Sequence, residues 1–221
     1  NVNLKAFADV PDAGASSEVW GSVVEFLKGK SYLVEAGSGR GKSSFCTFLY
    51  ALRSDYTGQI TVVDSDRGEL PLQECDAVSL RRTSLSIMFQ DLRLFPELSS
   101  VDNVLLNNQL TGYTNEDEVR SMLTRLGLGE KLDTPCGQLS FGQQQRVAYV
   151  RSLCQPFDFI LLDEPISHLD GHNAAIMADM LQERQKKDGG LPVKIQLIHR
   201  EIFSSSVPAS FRAGCLSGYP D

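Results

Sequence analysis

The sequence predicts an α/β fold with a mostly parallel sheet, an N-terminal antiparallel β subdomain and an inserted α-helical subdomain. A buried strand, SYLVEA, runs directly into the glycine-rich GSGRGKSS and then into a helical pattern from Ser44 to Ser54. Late in the chain, FDFILLD is almost purely apolar, which is typical of a parallel strand buried on both faces. The stretch from Leu92 to about Gln138 is polar and has helical spacing, and it predicts the inserted subdomain.

Shorter sequence patterns predict the remaining strands and helices. The alternation in VWGSVVEF and the turn-rich VPDAGASS predict a small antiparallel sheet within residues 1–34, and GQITVVD predicts a further strand. In EDEVRSMLTRLGLGEKL, the acidic residues at the start and Gly127 near the end indicate helix boundaries. A helix from about Asn173 to Lys187 and the strand VKIQLIH follow, and the tail FRAGCLSGYPD is expected to complete an edge of the sheet.

We therefore expect one domain over residues 1–221. Residues 1–90 and 139–221 form its β subdomain and core in this prediction, and residues 91–138 form its helical subdomain. At 42% hydrophobic and 22% charged residues, a chain of this length can bury a sizeable core.

Charge and cysteine content exclude several classes of protein. The net charge is −7 and there is no concentrated basic face, so we expect no nucleic-acid partner. Five scattered cysteines without a CxxC pair predict reduced thiols rather than a disulfide framework or a zinc site. No apolar run approaches the roughly 18 residues of a membrane span, so any membrane role is expected to come through a partner.

The glycine-rich segment predicts a phosphate-binding loop. Glycines let the backbone fold closely around phosphates, with several N–H groups turned inward at a helix N-terminus. Lys42 would reach the β- and γ-phosphates, and Ser43 would bind Mg²⁺; the alternative is a simple glycine-rich turn. The predicted nucleotide-binding residues here are Ala36, Gly37, Ser38, Gly39, Arg40, Gly41, Lys42, Ser43 and Ser44. Ala36 stands where the usual pattern has glycine, and its small methyl group is expected to be tolerated.

A second candidate group follows the apolar strand FDFILLD, which ends in Asp163 and Glu164. Ligands of α/β sheets bind at the carboxyl ends of the strands, which is where these two carboxylates fall. We expect Asp163 to contribute to a Mg²⁺ site and Glu164 to act as general base on the attacking water. The alternative for an isolated acidic pair is a solvated strand end.

Six motifs in a fixed order resemble the ATP-binding subunits of ABC transporters. They are the phosphate loop, Gln90 in SIMFQDLRLF, the signature LSFGQ at 139–143, LLDEP at 161–165, SHLD at 167–170, and His199 in LIHR. The resemblance implies a P-loop NTPase (RecA-like) core that binds ATP and Mg²⁺. The short form is similar to the subunits of lipoprotein-release, macrolide-export and cell-division complexes.

The resemblance also implies roles for individual residues. Each ATP would lie between the phosphate loop of one subunit and the signature of another, so a homodimer or a paired ATPase subunit is expected. Ser140, Gly142 and Gln143 would face the neighbour's γ-phosphate at the positive end of a helix dipole. Gln90 would contact Mg²⁺ and the attacking water, and His199 would touch the γ-phosphate.

Several other residues are expected to lie outside the catalytic group. His168 and His172 are expected to be non-catalytic, and Asp170 is expected to bridge subunits. VPDAGASS lacks the aromatic residue that usually stacks on adenine in this family. Phe7 and Trp20 are candidates, but a core position is favoured for each, so adenine stacking stays unassigned.

The expected partner is an integral-membrane permease subunit that docks on the apolar region around Gln90 to Leu106. Ordinary packing of the insert is the alternative explanation of that region. The chain would then be cytoplasmic, peripheral at the inner face of the membrane. A nucleotide-gated scaffold of a cell-division-like complex is the alternative function, and a DNA- or ribosome-directed ATPase is disfavoured by the acidity. Phe141 replaces a family glycine, and we expect it to slow hydrolysis or to make it partner-dependent.

Overall fold

The computed structural model describes residues 2–4, 19–20, 22–27, 30–36, 39–64, 68–187, 193–199 and 215–216. Helices and parallel strands alternate along most of these residues, which confirms the predicted α/β class. The helices are α1 (Lys42–Leu49), α2 (Ala77–Thr83), α3 (Ser100–Thr111), α4 (Glu116–Arg125), α5 (Phe141–Leu153) and α6 (Gly171–Lys187). The strands are β1 (Val2–Leu4), β2 (Ser31–Ala36), β3 (Tyr56–Gly58), β4 (Thr61–Asp64), β5 (Gly68–Pro71), β6 (Leu85–Met88), β7 (Phe159–Asp163), β8 (Val193–His199) and β9 (Cys215–Leu216).

The central sheet has the strand order β6-β7-β8-β2-β9, and every neighbouring pair is parallel. All five carboxyl ends therefore lie along one edge of the sheet. In this register Ala36 of β2 lies opposite His199 of β8, and Asp163 of β7 lies opposite Leu197. The short β9 pairs with β2 at the end of the sheet, as the tail sequence predicts.

The antiparallel part consists of two separate ladders, β1 with β3 and β4 with β5. The prediction that VWGSVVEF supplies an antiparallel strand is wrong. The described residues of that segment contain only an isolated bridge at Trp20, and Val23 is 89% exposed. Val19, Trp20 and Phe26 instead pack on an apolar cluster that contains Phe45 of α1, so their burial comes from a helix.

Helix α1 is shorter than the predicted segment from Ser44 to Ser54. It ends at Leu49, and Ala51 has a left-handed φ of 55° that helical backbone cannot continue through. Backbone amides of residues 50–52 donate to the late carbonyls of the helix, at Cys46, Thr47 and Phe48. The Arg81 guanidinium donates to the carbonyls of Tyr50 and Ala51, so it binds the turn that follows the helix.

The helical insert begins and ends at recognisable caps. Ser99 caps α3 and Asn115 caps α4, each by accepting a hydrogen bond from a backbone amide of the first turn. Gly127, with φ of 72°, follows the end of α4 near the predicted boundary. The apolar faces of α3 and α4 contribute to one buried cluster with α5 and β7. The insert is therefore packed directly against the helix that follows the signature.

Two further properties bear on the predictions. The four cysteines whose side chains the structure describes, Cys46, Cys75, Cys136 and Cys154, are free thiols. Across the described ranges, none of the helices combines the length and the apolar character that crossing a bilayer requires.

Candidate active site

Side chains from three loops meet at the carboxyl edge of the sheet. The Ser43 hydroxyl donates to Gln90 Oε1 at 3.3 Å, and Gln90 Nε2 donates to Glu164 Oε2 at 3.2 Å. Lys42 Nζ lies 3.9 Å from Glu164 Oε1, and both side chains are mostly buried. We call Lys42, Ser43, Gln90, Asp163 and Glu164 the phosphate-loop cluster. Residues that are up to 122 positions apart in the sequence thus form one continuous polar network.

Asp163 is the most deeply buried carboxylate of this cluster, with 3% of its surface exposed. Burial raises the pKa of Asp163 above its ordinary value, while the neighbouring Ser43 hydroxyl and Lys42 act in the lowering direction. Its Oδ1 atom has no hydrogen-bond partner among the described residues. A buried carboxylate oxygen without a donor is costly unless a cation or another donor comes to it.

The cluster has the chemistry of a magnesium site. Ser43, Gln90 and Asp163 offer hydroxyl, amide and carboxylate oxygens, which are the ligand atoms that Mg²⁺ prefers. The orphaned Oδ1 of Asp163 marks the place where a cation is electrostatically favoured. In the part of the chain that the structure describes, no group of three or more His, Cys, Asp and Glu side chains could hold a metal by itself. Ser43, Gln90 and Asp163, with one carboxylate among them, could hold Mg²⁺, which usually takes one or two carboxylates and shares the rest of its shell with water and phosphate.

The phosphate loop leads into α1 through a left-handed turn. Gly39 and Gly41 have φ of 72° and 85°. Residues that carry a side chain rarely adopt this backbone conformation. Gly41 is also the N-cap of α1. Lys42 and Ser43 therefore begin the helix, next to its unpaired N–H groups. The Ser44 hydroxyl accepts a hydrogen bond from Arg53 at 3.1 Å.

The structure describes the predicted loop from Gly39 onward. Gly37 and Ser38 lie outside the described residues, and Ala36 is described only as the last backbone position of β2.

Glu164 occupies a tightly held turn. Its φ of 51° is left-handed, which is unusual for a residue with a side chain. The Glu164 carbonyl accepts hydrogen bonds from Gln145 Nε2 at 3.0 Å and from Ser167 Oγ at 3.2 Å. Helix α5 thereby helps to fix the backbone from which the Glu164 carboxylate extends.

The signature turn, residues 139–143, forms the head of α5. Ser140 and Gln143 make a capping box. The backbone N–H of Gln143 donates to Ser140 Oγ at 3.3 Å, and the backbone N–H of Ser140 donates to the side-chain Oε1 of Gln143 at 2.9 Å. The predicted nucleotide contact of Gln143 therefore competes with its role in this cap. The cap uses Ser140 as an acceptor, so the Ser140 O–H is still able to donate to an outside anion.

Gly142 and Phe141 both face the turn at 167–170. A Cβ added at Gly142 would lie 3.0 Å from the His168 carbonyl oxygen, so a larger residue here would require the turn at 167–170 to shift by a few tenths of an ångström. The Phe141 ring is 46% exposed and meets the His168 ring edge to face, with centroids 4.6 Å apart. His168 Nδ1 lies 2.8 Å from Ser167 Oγ. The Phe141 side chain is thus packed on the chain's own next turn.

The segment after Gln90 is held by a residue that sequence analysis did not identify. Leu92 and Arg93 have left-handed φ of 57° and 49°, and Arg151 of α5 donates to the carbonyls of both residues. This pair of contacts stabilises a backbone that would otherwise be strained. Burial lowers the pKa of Arg151, but the side chain remains a cation at neutral pH.

The remaining predicted residues lie at the same edge or close to it. His199 ends β8 opposite Ala36, which puts its backbone beside the phosphate loop, whereas its side chain lies outside the described part. Asp170 accepts hydrogen bonds from the amide and the side chain of Asn173, and these bonds lower the pKa of Asp170. Asp170 therefore caps the start of α6, in addition to any contact with another subunit. Phe7 also lies outside the described residues.

Gln145 shows how a missed residue could have been found. It is 1% exposed and shares the buried face of α5 with Ala148, Tyr149 and Ser152 at spacings of three, four and seven. A polar side chain on an otherwise buried helical face needs a specific partner. That rule identifies Gln145 as a structural anchor. It does not predict that the acceptor is the Glu164 carbonyl.

Several known proteins resemble this chain in sequence. The sequence profile of the family described as ABC transporter matches residues 24–167. The chain is 35% identical over 167 residues to the macrolide export ATP-binding/permease protein MacB of Shewanella oneidensis, which covers 74% of this chain and 25% of that protein. It is 28% identical over 206 residues to the lipoprotein-releasing system ATP-binding protein LolD of Myxococcus xanthus, covering 87% and 89% of the two.

The fold has equally clear relatives. The dimeric structure of the bacterial ABC transporter cassette MJ0796 matches with a TM-score of 0.67 at 23% identity, over 80% of this chain and 83% of that one. A second structure of the same cassette, bound to ADP and Pi, matches with a TM-score of 0.66 at 24% identity. The P-loop NTPase core that the motifs imply is thus confirmed as the fold. This chain spans about a quarter of the length of the macrolide exporters it matches and most of the length of LolD. Because this sequence profile matches more than half of its residues, the chain belongs to the ABC transporter family.

Proposed function

We propose that this chain binds ATP with Mg²⁺, hydrolyses it, and uses the cycle to drive a separate membrane subunit. The observation that carries the proposal is the phosphate-loop cluster, in which Lys42, Ser43, Gln90 and Glu164 are already within contact distance of one another. A polar network that joins a helix N-terminus to a strand-end carboxylate suits phosphoryl chemistry, which depends mainly on positioning and electrostatics.

In the proposed binding step, the N-terminus of α1 and the Lys42 ammonium attract the phosphates of the nucleotide. Lys42 then exchanges its contact with Glu164 for the phosphates, which frees one oxygen of that carboxylate. Ser43, Gln90 and Asp163 are the residues that would hold Mg²⁺, whose chemistry there is to neutralise negative charge on the phosphates. The orphaned oxygen of Asp163 supports this assignment.

In the proposed hydrolytic step, Glu164 accepts a proton from the attacking water. The bond from Gln90 Nε2 orients Oε2 of Glu164, and the bond from Gln145 fixes the Glu164 backbone. His199 is proposed to help position the water, because β8 ends beside the phosphate loop. Gln90, Glu164 and His199 lie at the carboxyl edge of the parallel sheet, the common location of α/β active sites.

The signature turn is proposed to complete the site of a second copy. Ser140 retains an O–H that can donate, and the head of α5 carries the positive end of the helix dipole. A symmetric pair of chains would close two identical sites at once, with nucleotide in the interface. The dimeric state of the cassette MJ0796 supports such an arrangement for this fold.

A permease subunit is the proposed membrane partner. Phe95, Leu106 and Leu110 are large exposed apolar side chains on the insert, in or next to the region from Gln90 to Leu106. The macrolide exporters combine ATP-binding and permease parts in one protein, and LolD is the ATP-binding protein of a lipoprotein-releasing system. These relatives favour transport over the scaffold alternative. The proposed location is the cytoplasmic face of the membrane, held there through the permease.

We propose that Phe141 slows ATP hydrolysis. Because its ring is packed on His168, a partner's phosphates could reach Ser140 and Gly142 without a direct clash. The same packing makes the head of α5 stiffer than a glycine would leave it. We therefore expect nucleotide binding to be retained, with hydrolysis slow until a partner engages the chain.

Calorimetric titration with MgATP tests the proposal. Lys42→Ala should weaken nucleotide binding at least about 100-fold, since it removes the cation next to the phosphates. Lys131→Ala is the matched control, because it deletes an exposed lysine of the insert. Equal affinities of the two variants, or no binding by the wild-type chain, would contradict the proposed function.

A further inference from the structure

The only tryptophan of the chain, Trp20, contacts the phosphate loop at Arg40. Trp20 Nε1 donates a hydrogen bond to the Arg40 carbonyl at 3.2 Å. Its ring meets Phe45 and Phe48 edge to face, with centroids 5.7 and 6.4 Å away. One side chain therefore contacts both the loop and the helix that the loop leads into.

The Arg40 carbonyl is a specific point of the loop. Arg40 stands between Gly39 and Gly41, the two residues with left-handed φ. A loop that turns successive N–H groups inward toward an anion turns carbonyls outward, where they need donors of their own. The indole N–H supplies such a donor to the Arg40 carbonyl.

The ring of Trp20 is held on a rigid base. Phe45 and Phe48 belong to α1 and are both buried, and Phe48 also packs on Tyr56 with centroids 4.9 Å apart. Two edge-to-face contacts restrict the tilt of the indole. The helix that begins at Lys42 therefore fixes the position of the indole N–H. Through the hydrogen bond, it also fixes the position of the Arg40 carbonyl.

We infer that Trp20 is a positioning residue that holds the phosphate loop in its nucleotide-binding shape. The inference rests on the proposed function, because it assumes that the loop binds a nucleotide. It gives Trp20 a place different from adenine stacking, since the N–H and the ring are engaged by the loop and by α1. Its effect is on preorganisation: a loop that is already shaped loses less entropy when the phosphates arrive.

Nucleotide titrations of two matched variants test this. Trp20→Phe keeps an aromatic ring but removes the donor to Arg40. Tyr56→Phe also removes one hydrogen bond from the same aromatic cluster, the bond that Gln73 donates to the tyrosine hydroxyl, and it leaves the loop untouched. We expect Trp20→Phe to raise the calorimetric Kd for MgADP and the KM for ATP roughly fivefold to tenfold, with kcat within about twofold of wild type. Tyr56→Phe should retain the wild-type Kd.

The wild-type chain supplies a second readout that needs no variant. All of its tryptophan emission comes from Trp20, so saturating MgADP should change the emission spectrum. Equal Kd values for Trp20→Phe and Tyr56→Phe, or an unchanged spectrum at saturation, would overturn the inference alone. Failure of the wild-type chain to bind MgADP in the calorimeter would overturn the proposed function, and this inference with it.

Discussion

The phosphate-loop cluster and the signature turn are held in opposite ways. In the cluster, the proposed functional side chains contact one another, from Ser43 through Gln90 to Glu164. In the signature turn, Ser140 is fixed by its own helix, and Phe141 packs on the turn at 167–170. The cluster is thus organised around groups from distant loops, whereas the signature turn is organised locally.

This difference fits the proposal that the signature turn acts on a second copy. The capping box fixes the orientation of Ser140 but leaves its O–H able to donate outward. An anion-binding helix end whose side chains are shaped by its own cap is ready for a ligand brought by another molecule. Variants of each region should therefore fail in different ways, and Asp163→Asn and Ser140→Ala test that contrast.

The largest effect is expected from Asp163→Asn in the phosphate-loop cluster. Hydrolysis of ATP should fall roughly 1,000-fold, because the residue proposed to hold Mg²⁺ loses its charge. Without metal or nucleotide, the same variant should melt at a higher temperature than wild type, since a buried carboxylate oxygen without a partner is costly. Steady-state hydrolysis and calorimetric melting measure the two effects.

The pH dependence of that stabilisation follows from the pKa of Asp163, which burial raises in the folded chain. Stability contributed by a group with a raised pKa is lost as pH rises through that pKa. The gain in melting temperature from Asp163→Asn should therefore be larger at pH 8 than at pH 4. Asp133→Asn, which changes an exposed carboxylate, is the control. A gain that is equal at both pH values would show that the Asp163 charge does not destabilise the metal-free fold.

A smaller loss is expected from Ser140→Ala in the signature turn. Hydrolysis should fall about 100-fold, because one hydrogen-bond donor to the phosphates is removed. Nucleotide binding by the isolated chain should remain close to wild type, since the turn is proposed to act on another copy. Turnover and calorimetric affinity, measured on the same preparation, separate the two effects.

Ser99→Ala is the matched control for that variant. Ser99 caps α3 as Ser140 caps α5, so each substitution should lower the stability of the fold by about 1 kcal/mol. Only Ser140→Ala should lose hydrolysis. Equal losses in both variants would mean that Ser140 acts through helix stability, and the contrast between the two regions would then disappear.

The smallest effect is expected from Phe141→Gly. Releasing the edge-to-face contact with His168 should raise the turnover of the isolated chain about threefold, which corresponds to less than 1 kcal/mol in the barrier. Affinity for MgATP should not change. Brisk turnover of the wild-type chain, with no increase in the variant, would contradict the proposal that Phe141 slows hydrolysis.

Much of the fold could be predicted from the sequence because its signals are local. The apolar runs of β7 and β8 and the caps of α3 and α4 each depend on a few neighbouring residues. VWGSVVEF was misassigned because alternating apolar residues can be buried by a helix as well as by a sheet, and here Phe26 packs on Phe45. No local pattern distinguishes these two cases.

The candidate site also contains residues that the sequence predicts and residues that it does not. Motif order brought Lys42, Gln90 and Glu164 into one prediction, and the structure brings them into contact. The supporting residues Gln145 and Arg151 act on carbonyls at positions 164 and 92–93, and backbone acceptors leave no trace in a side-chain pattern. Such contacts depend on tertiary structure, so the sequence alone could not identify them.

Size-exclusion chromatography with light scattering on Glu164→Gln tests the central claim most directly. This variant removes the proposed general base and leaves the proposed phosphate contacts, so MgATP should convert it from monomer to dimer. Adding Ser140→Arg, which puts a long side chain on the signature turn, should restore the monomer. If Glu164→Gln remains monomeric although ATP co-elutes with it, the signature turn does not complete the site of a second copy.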